Sequence, residues 1–324
     1  MSYLLLKDNI RASAVCKARR EAAEHVRVVE KYPWIISFPT QGTLFDLFDP
    51  LQRKMYSLNL PDIAGMNVCF SKEGWLLMRK SSFVEFFFFN PYSRELISLP
   101  NCELPFQAIA FSSAPSSGTC VLVTLNPISE YLVAISICYP GETEWINMEF
   151  PCSIAFDPNI HSNLIYANGH FYCFTAGGVL FDFDPSSRTL NQQAWDEPIF
   201  PNIHNSEWIY LPKIFYLMEQ KGQLFLMYTY GTETPVVYKL VSSKWEEMSS
   251  ALLDGLTIFA SRYCSETRMN VLGMRNKVYF PKYDVHNKQC VSYSYDEGRY
   301  SPCKQKELVS VESLWIEPPP CKDV

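Results

Sequence analysis

The residues best suited to chemistry are two carboxylates on one predicted strand, Asp182 and Asp184. Paired carboxylates act as acid and base when they flank a bond that is to be cleaved. Asp184, however, opens the turn at residues 184–187, where an Asp side chain accepts hydrogen bonds from nearby backbone amides. Asp182 alternates with apolar residues and is expected to point outward. We therefore interpret both residues as structural.

Other constellations that support catalysis or metal binding are absent from the sequence. The closest two of the five histidines, His161 and His170, are nine positions apart, which matches no common ligand spacing. The 11 cysteines include no Cys-x-x-Cys pair, and there is no phosphate-binding loop, nucleophile elbow or zinc-protease motif. We predict a protein that is not an enzyme and that has no catalytic residues, cofactor or metal.

The amino-acid composition limits the classes of partner that this protein is expected to bind. The 324 residues are 48% hydrophobic and 15% aromatic, enough for a large core, and the net charge of -6 includes no basic cluster suited to nucleic acid. The odd number of cysteines favours reduced, buried thiols in a cytoplasmic and/or nuclear protein. No apolar run approaches the ~20 residues of a membrane span, so neither a membrane nor nucleic acid is expected as a partner.

These residues are positioned by a repeated unit of short strands, whose clearest copy is residues 169–195. Apolar and aromatic residues alternate in it with the period of two that is typical of strands, and an Asp-Pro turn precedes the last strand. Related units cover most of the chain after residue 34. Their Pro-containing turns, at Pro50, Pro91, Pro140 and Pro185, are roughly 40 to 50 residues apart, which is the period of a four-stranded propeller blade.

Six copies predict an all-β, six-bladed β-propeller. Seven blades are the alternative and would require a further copy within residues 105–140 or 196–211. The first copy lacks an inner strand, and residues 311–317 form a spare strand that is expected to close the ring, because a closed ring leaves no open sheet edge. Trp145, Trp195 and Trp245 occupy equivalent places in three copies and are expected to pack between neighbouring blades.

One helix is expected before the propeller, at residues 8–29. Asp8 is a suitable N-cap, and apolar residues recur there at steps of three or four. The sequence resembles the second half of an F-box, the motif that docks on Skp1-type adaptors, at Lys7-Asp8, Arg11-Ala12-Ser13 and Val15-Cys16-Lys17. The rest is similar to the kelch-like propeller of plant F-box proteins, above all in YLMEQKGQLFLMYTYG and in VYKLVSSKWEEMSSALLDGLTIFAS.

The resemblance implies three parts: a partial F-box segment at residues 1–31, the propeller at residues 32–318 and a tail at residues 319–324. It also implies a substrate-recognition subunit of a Skp1–cullin–F-box ubiquitin ligase, whose partners are a Skp1-type adaptor, through it a cullin, and an unknown target protein. The residues that match the adaptor-docking motif, or lie within it, are Leu5, Asp8, Ile10, Arg11, Val15 and Cys16.

Two departures from the family pattern leave an alternative open. The Leu-Pro-led helix that precedes the Lys-Asp pair in the family is not in this sequence, and Arg19 stands where an aromatic residue is usual. Docking on an adaptor depends on a few apolar anchors, so this chain is alternatively a propeller interaction module without Skp1 binding. The diglycine of kelch repeats occurs once, at Gly177-Gly178.

The expected target-binding surface is a cluster of loops on one face of the propeller. The long connection at residues 196–211 and the turn near residue 230 emerge on the same face in this topology, and long loops on a rigid scaffold commonly carry binding residues. Trp208 either binds the target or covers a gap between blades. The predicted surface residues are His204, Glu207, Trp208, Tyr230 and Glu233.

Overall fold

A computed structural model describes residues 32–80, 84–102, 106–152, 163–175, 178–194, 214–229, 233–249, 253, 255–284, 289–302 and 313–318. The predicted helix at residues 8–29, the rest of the partial F-box segment and the tail at residues 319–324 lie outside this part. Within it, no helix is long and apolar enough to span a membrane. Two short 3-10 turns are described in full, Pro61–Ile63 and Pro115–Ser117.

The strands form six separate sheets, which confirms the prediction of an all-β, six-bladed propeller. The first three blades are β25(Ser313–Ile316), β1(Trp34–Ser37), β2(Leu44–Asp49) and β3(Lys54–Asn59); β4(Asn67–Lys72), β5(Trp75–Arg79), β6(Phe86–Phe89) and β7(Leu96–Ser98); and β8(Ala108–Phe111), β9(Leu122–Ser129), β10(Leu132–Cys138) and β11(Ile146–Pro151). The next two are β12(Ile165–Ala167), β13(His170–Phe174), β14(Val179–Asp184) and β15(Thr189–Ala194); and β16(Ile214–Gln220), β17(Gln223–Thr229), β18(Val236–Val241) and β19(Lys244–Glu247). The sixth is β20(Leu256–Phe259), β21(Glu266–Met269), β22(Lys277–Asp284), β23(Gln289–Ser294) and β24(Arg299–Ser301).

The innermost strands of the blades contact one another around a central axis. β25 contacts β4, β4 contacts β8, β8 contacts β12, β12 contacts β16, and β16 contacts β21. The ring is completed where β25 lies against β22 of the sixth blade and pairs with β1 of the first. In the β25–β1 pair, Ile35 lies opposite Trp315 and Ser37 opposite Ser313. The two ends of the propeller chain therefore share one sheet.

The sixth blade departs from the repeat. It has five strands, because β20 lies between β21 and β22 and runs parallel to β22. The innermost position is thus taken by β21, a short and largely polar segment with the sequence ETRM. Its Thr267 hydroxyl donates a hydrogen bond to the carbonyl oxygen of Glu219 on β16 at 2.8 Å. This strand lacks the alternation of the other copies, and the repeat pattern did not predict it.

Large side chains fill the spaces between blades, as the tryptophan positions predicted. The Trp245 ring meets the Phe174 ring of the preceding blade edge-on, with centroids 5.8 Å apart. Trp145 Nε1 donates to the carbonyl oxygen of Pro100, at the end of the preceding blade, at 2.9 Å. Trp195 lies outside the described residues. Each blade therefore buries its apolar faces on its neighbours, which a single blade has no means of doing alone.

Candidate functional site

The candidate site is a cavity of about 180 Å³ on the propeller axis. Its walls come from the inner strands and their hairpins, in blades 1, 2, 4, 5 and 6, so residues far apart in sequence share it. It is placed where β4 and β16 end and turn back into the second strand of each blade. Its ionisable wall residues, apart from one thiol and one phenol, are Lys72, Glu73, Glu219, Glu266, Arg268 and Glu317.

Tight two-residue turns hold the acidic side chains at the rim of this cavity. Lys72 pairs with Trp75 across a turn in which Glu73 and Gly74 have φ of 51° and 76°. Two positive φ values are the signature of the hairpin turn that matches strand twist. The second residue is glycine because this conformation costs other residues free energy. The same turn recurs in blade 5 at Lys221 and Gly222, with φ of 51° and 81°.

Hydrogen bonds fix both rim carboxylates. Glu73 Oε2 accepts from the backbone N–H of Ala114 in the next blade at 2.7 Å. Glu219 Oε1 accepts from the backbone N–H of Gly222 in its own hairpin at 2.5 Å. Neighbouring hairpins are also joined, because Asn168 Nδ2 donates to the carbonyl oxygen of Gly222 at 2.8 Å. Hydrogen bonds therefore link the turns that form the rim of the cavity.

Lys72 is the cation at the centre of the site. Its ammonium lies over the Tyr166 ring, 5.3 Å from the centroid, in the geometry of a cation–π contact. It makes no ion pair with any carboxylate in the described part of the chain. Burial lowers the pKa of Lys72, and the negative charges of Glu73, Glu219 and Glu266 act in the opposite direction.

Arg268 joins the sixth blade to the first. Its Nη2 donates to Glu266 Oε2 at 2.7 Å and lies 3.7 Å from Glu317 Oε1. Arg268 is thus held by two carboxylates. Burial raises the pKa of the Cys264 thiol, which also lines the cavity, and so favours the protonated form over the reactive thiolate.

Of the residues predicted for the two binding surfaces, Glu233 is the one that the structure describes. The six adaptor-docking residues, Leu5, Asp8, Ile10, Arg11, Val15 and Cys16, lie outside the described residues, as do His204, Glu207, Trp208 and Tyr230. Glu233 is described and exposed, and its carbonyl oxygen accepts a hydrogen bond from Tyr300 Oη at 2.7 Å.

Glu233 and the cavity are at opposite ends of the ring. Glu219 precedes β17 and Glu233 follows it, and the seven residues of β17 span about 23 Å at ~3.3 Å per residue. The face predicted from loop length is therefore not the face that carries the axial cavity. The sequence analysis missed the cavity because its lining residues come from five blades that are far apart in the sequence. The turns Glu73-Gly74 and Lys221-Gly222 were the available local signal.

The two carboxylates with which the sequence analysis began have separate structural roles. Asp184 Oδ1 accepts from the Ser186 N–H at 2.8 Å and Oδ2 from the Ser187 hydroxyl at 2.7 Å, which confirms the predicted turn. These bonds, that from Ser187 above all, lower the pKa of Asp184. Asp182 is partly exposed and pairs with His170 Nδ1 at 2.5 Å, a contact that was not predicted. No cluster of three or more His, Cys, Asp or Glu suited to a metal occurs among the described residues.

Six radially arranged sheets around an axial cavity define the molecule as a β-propeller. Residues 44–301 match the KIB1-4 beta-propeller family. Three Arabidopsis thaliana proteins are similar over 98% of this chain: "F-box protein At4g00893" at 47% identity over 84% of its length, "F-box/kelch-repeat protein At1g57790" at 38% over 91%, and "F-box protein At3g56470" at 33% over 86%. The chain belongs to the plant F-box proteins that carry a KIB1-4 β-propeller.

Solved structures are more distant. A chain described as "Dihydro-heme d1 dehydrogenase NirN in complex with DHE" matches 66% of this chain and 44% of its own length, at 11% sequence identity and a TM-score of 0.37. This likeness is too weak to carry any argument about function.

Proposed function

We propose that this protein is a substrate-recognition subunit of a Skp1–cullin–F-box ubiquitin ligase. The observation that carries the proposal is that F-box proteins match it over 98% of its length, so the match extends beyond the propeller into the segment that resembles an F-box. In this role the N-terminal segment binds a Skp1-type adaptor, and through it a cullin, while the propeller binds the target. Partner enzymes transfer ubiquitin, and the chain acts in the cytoplasm and/or nucleus.

The mechanism is proximity, and the propeller is suited to it. Strands β25 and β1 join the two ends of the propeller in one sheet, and a rigid scaffold of this kind is suited to carrying binding loops. We assign the target-binding role to the loops at the Glu233 end of the ring, with His204, Glu207, Trp208 and Tyr230 as the further contact residues. Trp208 is the expected anchor, because large aromatic residues dominate binding energy at protein interfaces.

Adaptor binding tests the proposal directly. The full chain is expected to co-purify with a Skp1-type adaptor, and Val15→Asp is expected to weaken this binding at least tenfold, because it places a charge where the resemblance puts an apolar anchor. Arg20→Asp introduces the same side chain outside the residues that match the docking motif and is expected to leave binding intact. Melting temperatures of all three proteins show whether the propeller is folded.

The possible outcomes separate the two candidate functions. Equal loss of adaptor binding in both variants would show that added negative charge, rather than loss of the Val15 anchor, is responsible, and the docking assignment would fail. If the wild-type chain binds no adaptor, the alternative holds, and the protein is a propeller interaction module without a ligase partner. Trp208→Ala then tests the target surface in either case, since it is expected to reduce target capture without changing adaptor binding.

A further inference from the structure

We propose that the axial cavity binds one cationic group, a guanidinium or an alkylammonium, that enters along the propeller axis from the end opposite Glu233. The site is independent of the proposed adaptor and target surfaces, and nothing in it depends on a ligase partner. It consists of the Glu73 and Glu219 carboxylates, the Ser71 hydroxyl and the Lys72–Tyr166 pair.

The charge balance of the walls favours a cation. Four glutamates and two basic residues line the cavity, which gives a formal charge of -2. Arg268 is held by Glu266 and Glu317, so these three residues together carry one negative charge. Lys72 offsets one of Glu73 and Glu219 and leaves the other uncompensated. Clefts lined by one sign of charge concentrate ions of the other sign, and low-dielectric walls strengthen the effect.

Two carboxylate oxygens are free to meet such a group. Glu73 Oε2 and Glu219 Oε1 are bonded to backbone amides, which hold each carboxylate in place. The second oxygen of each makes no hydrogen bond or ion pair with the described residues. A site whose ligating groups are already fixed loses little conformational entropy when it binds.

An unused hydroxyl is the second, independent indication of a ligand. Ser71 lines the cavity, is 2% exposed, and its Oγ makes no hydrogen bond of acceptable geometry within the described part of the chain. The neighbouring group is the Cys264 sulfur, a weak acceptor for the Ser71 O–H, and this contact leaves the lone pairs of Ser71 Oγ unused. Buried hydroxyls are normally paired, so Ser71 Oγ is an acceptor with spare capacity for a ligand N–H.

Size and charge exclude other occupants. A cavity of about 180 Å³ admits one side chain or a slender polyamine but no folded element. An anion would meet Lys72, but it would also face carboxylates on several sides of the cavity. The shared chemistry of an Arg or Lys side chain and of a free amine fits both the volume and the charge.

Calorimetric titration of the purified full chain tests the site with matched probes. N-acetylarginine methylamide represents a protein side chain, agmatine represents a free amine, and N-acetylcitrulline methylamide is the uncharged isostere of the first. We expect the arginine compound or agmatine to bind and the citrulline compound to bind at least about tenfold more weakly, because it lacks the charge that the carboxylates recognise. Preference for the capped arginine indicates a protein ligand, and preference for agmatine a free one.

Three variants distinguish ligand binding from a structural role. Glu73→Gln and Glu219→Gln keep the shape and remove one charge each, and each is expected to weaken binding about threefold to tenfold. Glu149→Gln on the exposed outer strand of blade 3 is the control and should bind as wild type does. Lys72→Met removes the resident cation and is expected to raise affinity, an effect that loss of structure would not produce.

Several results would overturn the proposal. They are equal binding of the arginine and citrulline compounds, absence of binding by every cationic probe at millimolar concentration, tighter binding of inorganic phosphate than of the cations, or weaker cation binding by Lys72→Met with an unchanged melting temperature. Adaptor co-purification is expected to be unchanged in all of these variants, so failure of this site and failure of the proposed function are separate results.

Discussion

Closure of the ring can be tested by a disulfide between β1 and β25. Ser37 and Ser313 are direct partners in this strand pair, and their hydroxyl oxygens are 2.9 Å apart. Cysteines at such positions have Cβ atoms close enough for a disulfide without backbone movement. The double variant Ser37→Cys/Ser313→Cys is therefore expected to form an intramolecular bond when it is oxidised.

The expected gain in stability follows from the length of the loop that the bond closes. Ser37 and Ser313 are 276 positions apart, nearly the whole propeller. For a loop of this length, the chain-entropy relation gives about 5 to 6 kcal/mol at 25 °C, and engineered disulfides commonly deliver less. We expect the oxidised variant to exceed its own reduced form by at least about 2 kcal/mol in the free energy of unfolding.

Urea unfolding followed by far-UV circular dichroism measures this difference, with and without reductant. Non-reducing electrophoresis and mass spectrometry show whether the bond is intramolecular. The two single-cysteine variants control for side reactions with the native thiols and should gain nothing on oxidation. If the double variant does not cross-link, or cross-links with no rise in the urea midpoint, β25 does not close the ring as described here.

Four further predictions concern the blades and their thiols. Asp49→Ala removes the acceptor of two turn amides and should lower the free energy of unfolding by about 1–2 kcal/mol. Asp49→Asn should lower it little, because Asn90 fills the same role in blade 2. Urea unfolding of the two variants measures the difference. By the same assay, Trp315→Ala should lower the free energy of unfolding by about 3–5 kcal/mol, and the control Tyr131→Ala, at an exposed position, by about 0.5 kcal/mol or less. Eight of the 11 cysteines are described, and seven of these are buried, so at most four thiols should react rapidly with a thiol reagent in the native state at pH 8. Burial raises the pKa of Cys120 from 9.0 to about 11, so the folded state binds this proton more tightly than the unfolded state does. The stability of the fold should therefore fall as the pH rises above 9, and melting temperatures measured across this range test it.

The outcomes that would contradict these predictions are specific. Equal losses for Asp49→Ala and Asp49→Asn would mean that the turn depends on the charge and not on the acceptor oxygen. A Trp315→Ala variant as stable as Tyr131→Ala would mean that the inner strand of blade 1 contributes little to the core. Rapid labelling of more than four thiols would show that the blades open under native conditions.

The blade count was predictable because its signals are local. The turn of Asp184 depends on side-chain oxygens and amides two or three residues apart, and the alternation in β13 and β14 reflects which face of a strand is buried. Both effects can be read from a few consecutive residues. The positions of Trp145 and Trp245 repeat for the same reason, because each blade presents the same surface to its neighbour.

Contacts that depend on the register between strands were harder to predict from the sequence. His170 and Asp182 lie diagonally across the β13–β14 pair, and their meeting is set by the pairing of Tyr172 with Asp182. The strand β21 escaped prediction because its four residues carry almost no apolar pattern. It is a strand because β20 offers it an edge, and that edge exists in the folded blade alone.

The sequence by itself determined the fold class, the number of blades and the chemistry of their turns, because alternation and turn preferences act between neighbouring residues. Tertiary structure alone decided the axial cavity. Lys72 and Glu219 are separated by more than a hundred positions in the sequence. They share one site with Arg268 because closure of the ring brings the inner strands of different blades to a common axis. Their charges act on one another through that geometry, and no local pattern in the chain records it.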